Sequence, residues 1–123
     1  MKQIDIINAY SVTETLSDDP SLTIKGKWVL YQVRKELTPH YEFQVQENKR
    51  LLEQYNGQYD ANTNKINFET AELAQDFQRE HNDLDNLEIE LNVIKPSLSL
   101  KDIPNITVHQ IETLEDFIEF DLE

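Results

Sequence analysis

Apolar residues recur along most of this chain at three- and four-residue spacing, and in one short stretch at two-residue spacing. The first rhythm marks amphipathic helices and the second a half-buried strand. Residues 4–16 read as a short helix, with Ile6, Ile7 and Tyr10 on one side and Ala9, Val12 and Leu16 on another. Ser17-Asp18-Asp19-Pro20-Ser21 then breaks the chain. A long helix is expected over about 22–55. Ile24, Trp28 and Tyr31 form one stripe, and Leu30, Val33, Leu37, Tyr41, Val45, Leu52 and Tyr55 a second, with Asn48 keeping step. Two stripes imply two packing neighbours. Thr38-Pro39 interrupts the run, and a proline inside a helix costs about 3 kcal/mol. Because the second stripe holds its phase across Pro39, a kinked or barely broken helix is expected rather than two separate ones.

Asn56-Gly57 supplies a stop, with Gly57 suited to a left-handed cap. Residues 58–66 are a polar connector with a turn-rich tip, compatible with a small β-hairpin. A further helix is expected over 68–84, capped by Asn67, with Leu73, Phe77, Glu80 and Leu84 on one face. It should fold back on the long helix as an antiparallel hairpin. Leu87, Ile89, Leu91 and Val93 then alternate with Glu88, Glu90 and Asn92, the signature of a strand. A lone strand needs a partner. Residues 97–103, the neighbourhood of Tyr59 and Ile66, or another subunit would each serve. Thr107 and Gln110 form a capping box. The helix they open should run over 108–120, with Ile111, Leu114 and Ile118 facing the core.

The expectation is therefore a mainly helical α+β domain, residues 1–123, built on an antiparallel helical hairpin, with a short N-terminal helix, a small β element and a C-terminal helix. Charge changes the picture most. Residues 1–67 hold nine Asp and Glu against eight Lys and Arg, whereas residues 68–123 hold fifteen against three, so nearly all of the net −13 lies in the second half. An imbalance of this kind bears on partners and solubility. It disfavours direct binding to nucleic acid, whose phosphates call for Lys and Arg. No apolar run approaches the roughly 18 residues of a membrane span. The first residues lack the apolar core of a signal peptide, and there is no cysteine for a disulfide, thiolate ligand or nucleophile.

No catalytic motif stands out: there is no Gly-rich phosphate loop, nucleophile elbow or His-Glu-x-x-His pair, so neither an enzyme nor a cofactor is expected. His40, His81 and His109 lack ligand spacing, and His81 near a helix end reads as a favourable charge at the negative terminus. The sharpest feature is on the last helix. Glu112, Glu115, Asp116, Glu119 and Glu123 share one side, although like charges at i,i+4 and acids in a last turn both oppose a helix. Glu88 and Glu90 project from one side of the expected strand, about 6.8 Å apart along it. Phe120 borders the acidic side and, like Phe43 on the long helix, is a plausible anchor. Glu88, Glu90, Glu112, Glu115, Asp116, Glu119 and Phe120 are thus the candidate partner-binding residues. The matching partner is a protein with a basic surface. Monomer and homo-oligomer both stay open, the lone strand favouring the latter.

The order of elements also carries a resemblance. A short helix precedes a long one containing Glu-Asn-Lys-Arg-Leu-Leu-Glu-Gln-Tyr at 47–55. A polar tip and a helix ending Phe-Gln-Arg-Glu-His-Asn-Asp-Leu at 77–84 follow. The strand Leu-Glu-Ile-Glu-Leu at 87–91 and a last segment with Leu-Glu-Asp-Phe-Ile at 114–118 complete the order. This resembles small proteins encoded among the virion and tail genes of phages and prophages of Firmicutes and other gut bacteria. The resemblance implies a place in the host cytoplasm or the virion. It also implies a role as virion or tail component or assembly factor, with an acidic anti-defence inhibitor that imitates nucleic acid as the alternative.

Overall fold

The computed structural model describes residues 1–91 and 94–122. Among the described residues four helices dominate: α1 (Gln3–Ser17), α2 (Ile24–Gln54), α3 (Ala71–Asp85) and α4 (Val108–Leu114). Four three-residue strands accompany them: β1 (Gln58–Asp60), β2 (Lys65–Asn67), β3 (Ser97–Ser99) and β4 (Glu119–Asp121). The class is the expected mainly helical α+β. The most extensive helix–helix contact joins α1 to α2, two antiparallel helices connected by the short turn around Asp19.

α2 runs unbroken for 31 residues with Pro39 inside it. Next to the proline, Thr38 donates its hydroxyl to Arg34 O at 2.8 Å, and Gln3 Nε2 of α1 donates to His40 O at 2.8 Å. Neighbouring groups thus engage backbone carbonyls on either side of the residue that has no N–H to give. The stripe that α2 buries is Val29, Leu30, Val33, Leu37, Gln44 and Leu51. It is not quite the expected one, since Val45 is exposed and Gln44 takes its place. Gln44 sits where three helices meet: it accepts from Gln3 Nε2 at 3.3 Å and donates to Asp85 Oδ1 of α3 at 3.3 Å. Burial costs a polar group least when its hydrogen bonds are made, and Gln44 makes one to each of its two neighbouring helices. The stripe of Ile24, Trp28 and Tyr31, expected to find a second neighbour, lies in solvent. The neighbours of α2 instead share the other stripe: α1 and the C-terminal part cover its first half, and α3 its last turns.

The main core gathers Ile6, Ala9 and Leu16 of α1, Leu22 before α2, Val29, Leu30, Val33 and Leu37 of α2, and Leu98, Ile103, Leu114, Phe117 and Ile118 from the C-terminal part. Burying each of the larger side chains is worth about 1.5–3 kcal/mol, so this cluster is the main source of stability. At the far end of α2, Leu51 and Phe77 are buried, and the Phe68 and Phe77 rings lie 5.1 Å apart. There α2 ends in a Schellman turn: Gly57 N–H donates to Leu52 O at 2.8 Å and Asn56 N–H to Glu53 O at 3.4 Å. Asn56, not the expected Gly57, holds the left-handed conformation, with φ 52°. Gly57 is closely packed, and a Cβ there would sit 2.9 Å from Leu52 Cδ2 and 3.0 Å from Ile66 Cγ2. The hairpin after it is present, β1 pairing antiparallel with β2. Asn67 lies in β2, so the cap of α3 is Thr70, whose hydroxyl accepts from Leu73 N–H at 3.2 Å.

Two expectations for the C-terminal third are corrected. The first concerns 87–93. Val93 and Asn92 lie outside the described residues, and 89–91 form no regular strand. The segment is extended, and its partner is the chain's own beginning. Gln3 N–H donates to Leu87 O and Ile89 N–H to Met1 O, at 2.9 and 2.8 Å, with a bridge between Lys2 and Glu88. The second concerns the last helix. Its capping box forms as read, but it ends at Leu114, and residues 119–121 pair in parallel with β3. Glu119 N–H donates to Pro96 O at 2.9 Å and Leu100 N–H to Asp121 O at 3.3 Å. Continuing the helix would stack Glu112, Glu115, Asp116 and Glu119 at its negative end, while the strand supplies backbone hydrogen bonds and keeps Phe117 and Ile118 buried.

The C-terminal part is fastened to the start of α2 at one point. Thr23 N–H donates to Asp102 O at 3.2 Å, Thr23 Oγ1 donates to Asp102 Oδ1 at 2.7 Å, and the same hydroxyl caps α2 by accepting from Gly26 N–H at 3.1 Å. A Cβ on Gly26 would overlap Asp102 O. Beside this junction Asp19 accepts from Ser21 N–H at 2.9 Å and from Asn105 Nδ2 at 3.0 Å. The Ser21 bond first, and then that of Asn105, hold its carboxyl below the ordinary 3.8.

Gly26→Ala should lower stability by about 1–3 kcal/mol in urea unfolding, because overpacking against backbone outweighs the gain of about 1 kcal/mol in helix propensity. Asp19→Ala should lower the Tm at neutral pH. Since the folded pKa is depressed, that loss is complete above the unfolded value of 3.8 and shrinks as pH falls below it. Thermal unfolding of both proteins along a pH series checks this.

Candidate interaction surface

A groove of about 440 Å³ opens between α1 and α4. Asp5, Asn8 and Val12 follow one another at three- and four-residue spacing on the side of α1 next to the core-facing positions Ile6, Ala9 and Thr13. Opposite them stand His109, Glu112 and Thr113 of α4, and Asp116 in the turn that follows. Two features hold α4 there. Thr107 Oγ1 accepts from Gln110 N–H at 3.2 Å while Gln110 Oε1 accepts from Thr107 N–H at 2.9 Å. Leu114 then anchors the other end in the core, and its carbonyl accepts from both Phe117 and Ile118 N–H at 2.9 Å.

Three carboxylates, from Asp5, Glu112 and Asp116, thus line one depression, and among the described residues no Lys or Arg does. None of the three belongs to an ion pair. The ion pairs among the described residues are Met1–Glu88, Arg50–Glu47, Arg79–Asp76 and His81–Asp85. A site of this kind suits a cationic side chain, whose charge would meet carboxylates that the described residues leave without an ion pair.

The expected partner-binding residues do not all meet here. Glu112 and Asp116 do. Glu115 is exposed in the turn after α4, and Glu119 is exposed at the start of β4, so the single acidic side of a long helix is split in two. Glu88 and Glu90 lie on the extended segment beside the N-terminus. Glu88 is engaged there, taking the Met1 ammonium at 3.2 Å. Phe120 is not an exposed anchor: it is half-buried against the main core and faces Leu98 across the strand pair. Phe43 is exposed, as read. Asp5, Asn8 and His109 were missed. Their spacing was visible, but nothing in it said that α4 would lie along that side of α1.

A second cluster sits between the end of α2 and α3. The pKa of the Tyr55 phenol is raised above its ordinary 10.0, by hydrogen bonding with Glu80 first, then by burial, then by the charges of Glu80 and Asp76. On the same helix as Glu80, His81 Nδ1 lies 3.3 Å from Asp85 Oδ2. Among the described residues no group of three or more His, Asp or Glu is placed to hold a metal ion, and no helix is long and apolar enough to cross a membrane.

Compared with protein-family models, curated proteins and solved structures, the chain shows no significant match.

Glu80→Gln should bring the Tyr55 pKa back down toward 10.0. Tyrosinate absorbance followed through an alkaline titration, with Tyr55→Phe identifying the residue, reads this directly. In the wild type the favourable contact is fully present below pH 10.0 and is lost as pH rises through the higher folded value.

Proposed function

We propose that this chain is a non-enzymatic protein that works by protein–protein contact, receiving a basic segment of its partner in the groove between α1 and α4. One observation carries the proposal: Asp5, Glu112 and Asp116 line a single depression, and among the described residues none of them is in an ion pair. The phage setting comes from the sequence resemblance alone, and in that setting the role is that of a virion or tail component or an assembly factor. The rival role, an acidic inhibitor that stands in for nucleic acid, calls for a long row of carboxylates. The end of α4 at Leu114 interrupts such a row, and a groove between two helices favours a protruding cationic side chain instead.

The test is binding of a fluorescent Lys/Arg-rich peptide by Glu112→Lys/Asp116→Lys, compared with a matched control, Glu69→Lys/Glu72→Lys, that changes net charge equally on a different exposed surface. We expect at least a tenfold loss for the first pair and little change for the second. Equal losses would mean that net charge alone attracts the peptide and would refute the groove. Capture of a phage partner from infected cells should show the same sensitivity and should be indifferent to added DNA or RNA. Competition by nucleic acid would favour the inhibitor.

A further inference from the structure

The side of α2 that faces away from α1 carries apolar surface that the fold leaves uncovered. Ile24 is 86 % exposed, Trp28 56 % and Tyr31 46 %. Spaced by four and then three residues, they line one side of the helix, opposite the buried Val29, Leu30, Val33 and Leu37. The Trp28 and Tyr31 rings lie 5.7 Å apart and stack. Around them the charge is unlike that of the rest of the chain. Residues 24–35 contain Lys25, Lys27, Arg34 and Lys35 and no acid, in a protein of net charge −13. Among the described residues none of these four cations is in an ion pair. The molecule thus exposes an aromatic face edged by cations on α2, and elsewhere an acidic groove without Lys or Arg. Because the face points away from α1, it does not reach the groove of its own copy.

We propose that the Ile24–Trp28–Tyr31 face docks on a second copy of this chain, with Lys25, Lys27 and Lys35 meeting Asp5, Glu112 and Asp116 of that copy's groove. The inference rests on the groove being a receptor for basic groups, as proposed above. Charge selects this pairing. Face against face would oppose four cations to four, and like charges across an interface are penalised. A nucleic acid or an anionic membrane would satisfy the cations and meet the same repulsion from the rest of the chain, but has no cations to offer the groove, as a second copy does. The contact joins two different patches, so it closes as a reciprocal dimer or continues head to tail. Three side chains and a shallow groove cover less than the roughly 1,200–2,000 Å² of a stable interface, which places the association in the transient class. The net −13 of each copy opposes it in dilute salt, and at about 0.15 M ionic strength, where the Debye length is about 8 Å, the local pairing prevails.

Sedimentation velocity of the full chain at about 0.15 M salt, from tens to hundreds of micromolar, should show a concentration-dependent rise in sedimentation coefficient. Trp28→Ala/Tyr31→Ala should remove it. So should Lys25→Glu/Lys27→Glu and Glu112→Lys/Asp116→Lys, each on its own. Mixing the last two variants should restore association, because a reversed face then meets a reversed groove. All these positions are exposed, and circular dichroism of each variant should match that of the wild type. A wild-type chain that stays monomeric overturns the inference. So does association that survives groove reversal, or cations that instead bind single-stranded DNA or phosphatidylserine vesicles while the chain remains monomeric. If the chain is monomeric yet the Lys/Arg-rich peptide still binds with sensitivity to Glu112→Lys/Asp116→Lys, this inference falls and the groove stands. If the peptide does not bind either, both fall.

Discussion

A helix of 31 residues is secure only where its apolar stripe is covered, and the cover along α2 comes in two pieces. Helical stability in proteins comes mostly from packing of the apolar side rather than from propensity, and here the requirement is sharper because Pro39 removes a backbone donor midway. α1 lies along the first half and reaches across the region of the proline through Gln3. α3 covers the last turns. Gln44 marks the handover, bonded to Gln3 on one side and Asp85 on the other. Everything else is arranged around that spine: the β1–β2 hairpin turns the chain so that α3 can return, and the C-terminal part closes the main core beneath α1 and the start of α2.

The groove follows from the same packing. α4 has only seven residues, too short to be stable alone, so its place is set by the capping box at one end and by Leu114, Phe117 and Ile118 at the other. Those buried side chains press α4 against α1 and bring Glu112 and Asp116 to Asp5. The acids therefore line one depression because apolar side chains at neighbouring positions are buried. The uncovered Ile24–Trp28–Tyr31 stripe is the complementary case, apolar surface edged by positive charge on a negative molecule.

The N-terminus has a structural part of its own. Met1 and Gln3 hydrogen-bond to the backbone of Leu87 and Ile89, and the Met1 ammonium meets Glu88. The alternating pattern at 87–91 is thus satisfied in part by the first residues of the chain. This explains why no strand partner could be picked from the middle of the sequence: periodicity reports that a segment will be half-buried, not against what.

Read without coordinates, the chain already determined its helical class, the extent of α1 and α2, the capping box of α4, the hairpin tip and the concentration of acid in the second half. These are local properties, written in spacing, caps and composition. Only the tertiary structure decided which stripe of α2 is buried, that Gln44 rather than Val45 belongs to it, that α4 stops at Leu114, and that Asp5 joins Glu112 and Asp116 while Phe120 turns inward. The physical reason is the same each time. A pattern at 3.6 or two residues says that a face seeks cover, but which face obtains it depends on the neighbour that arrives, and that neighbour is distant in sequence.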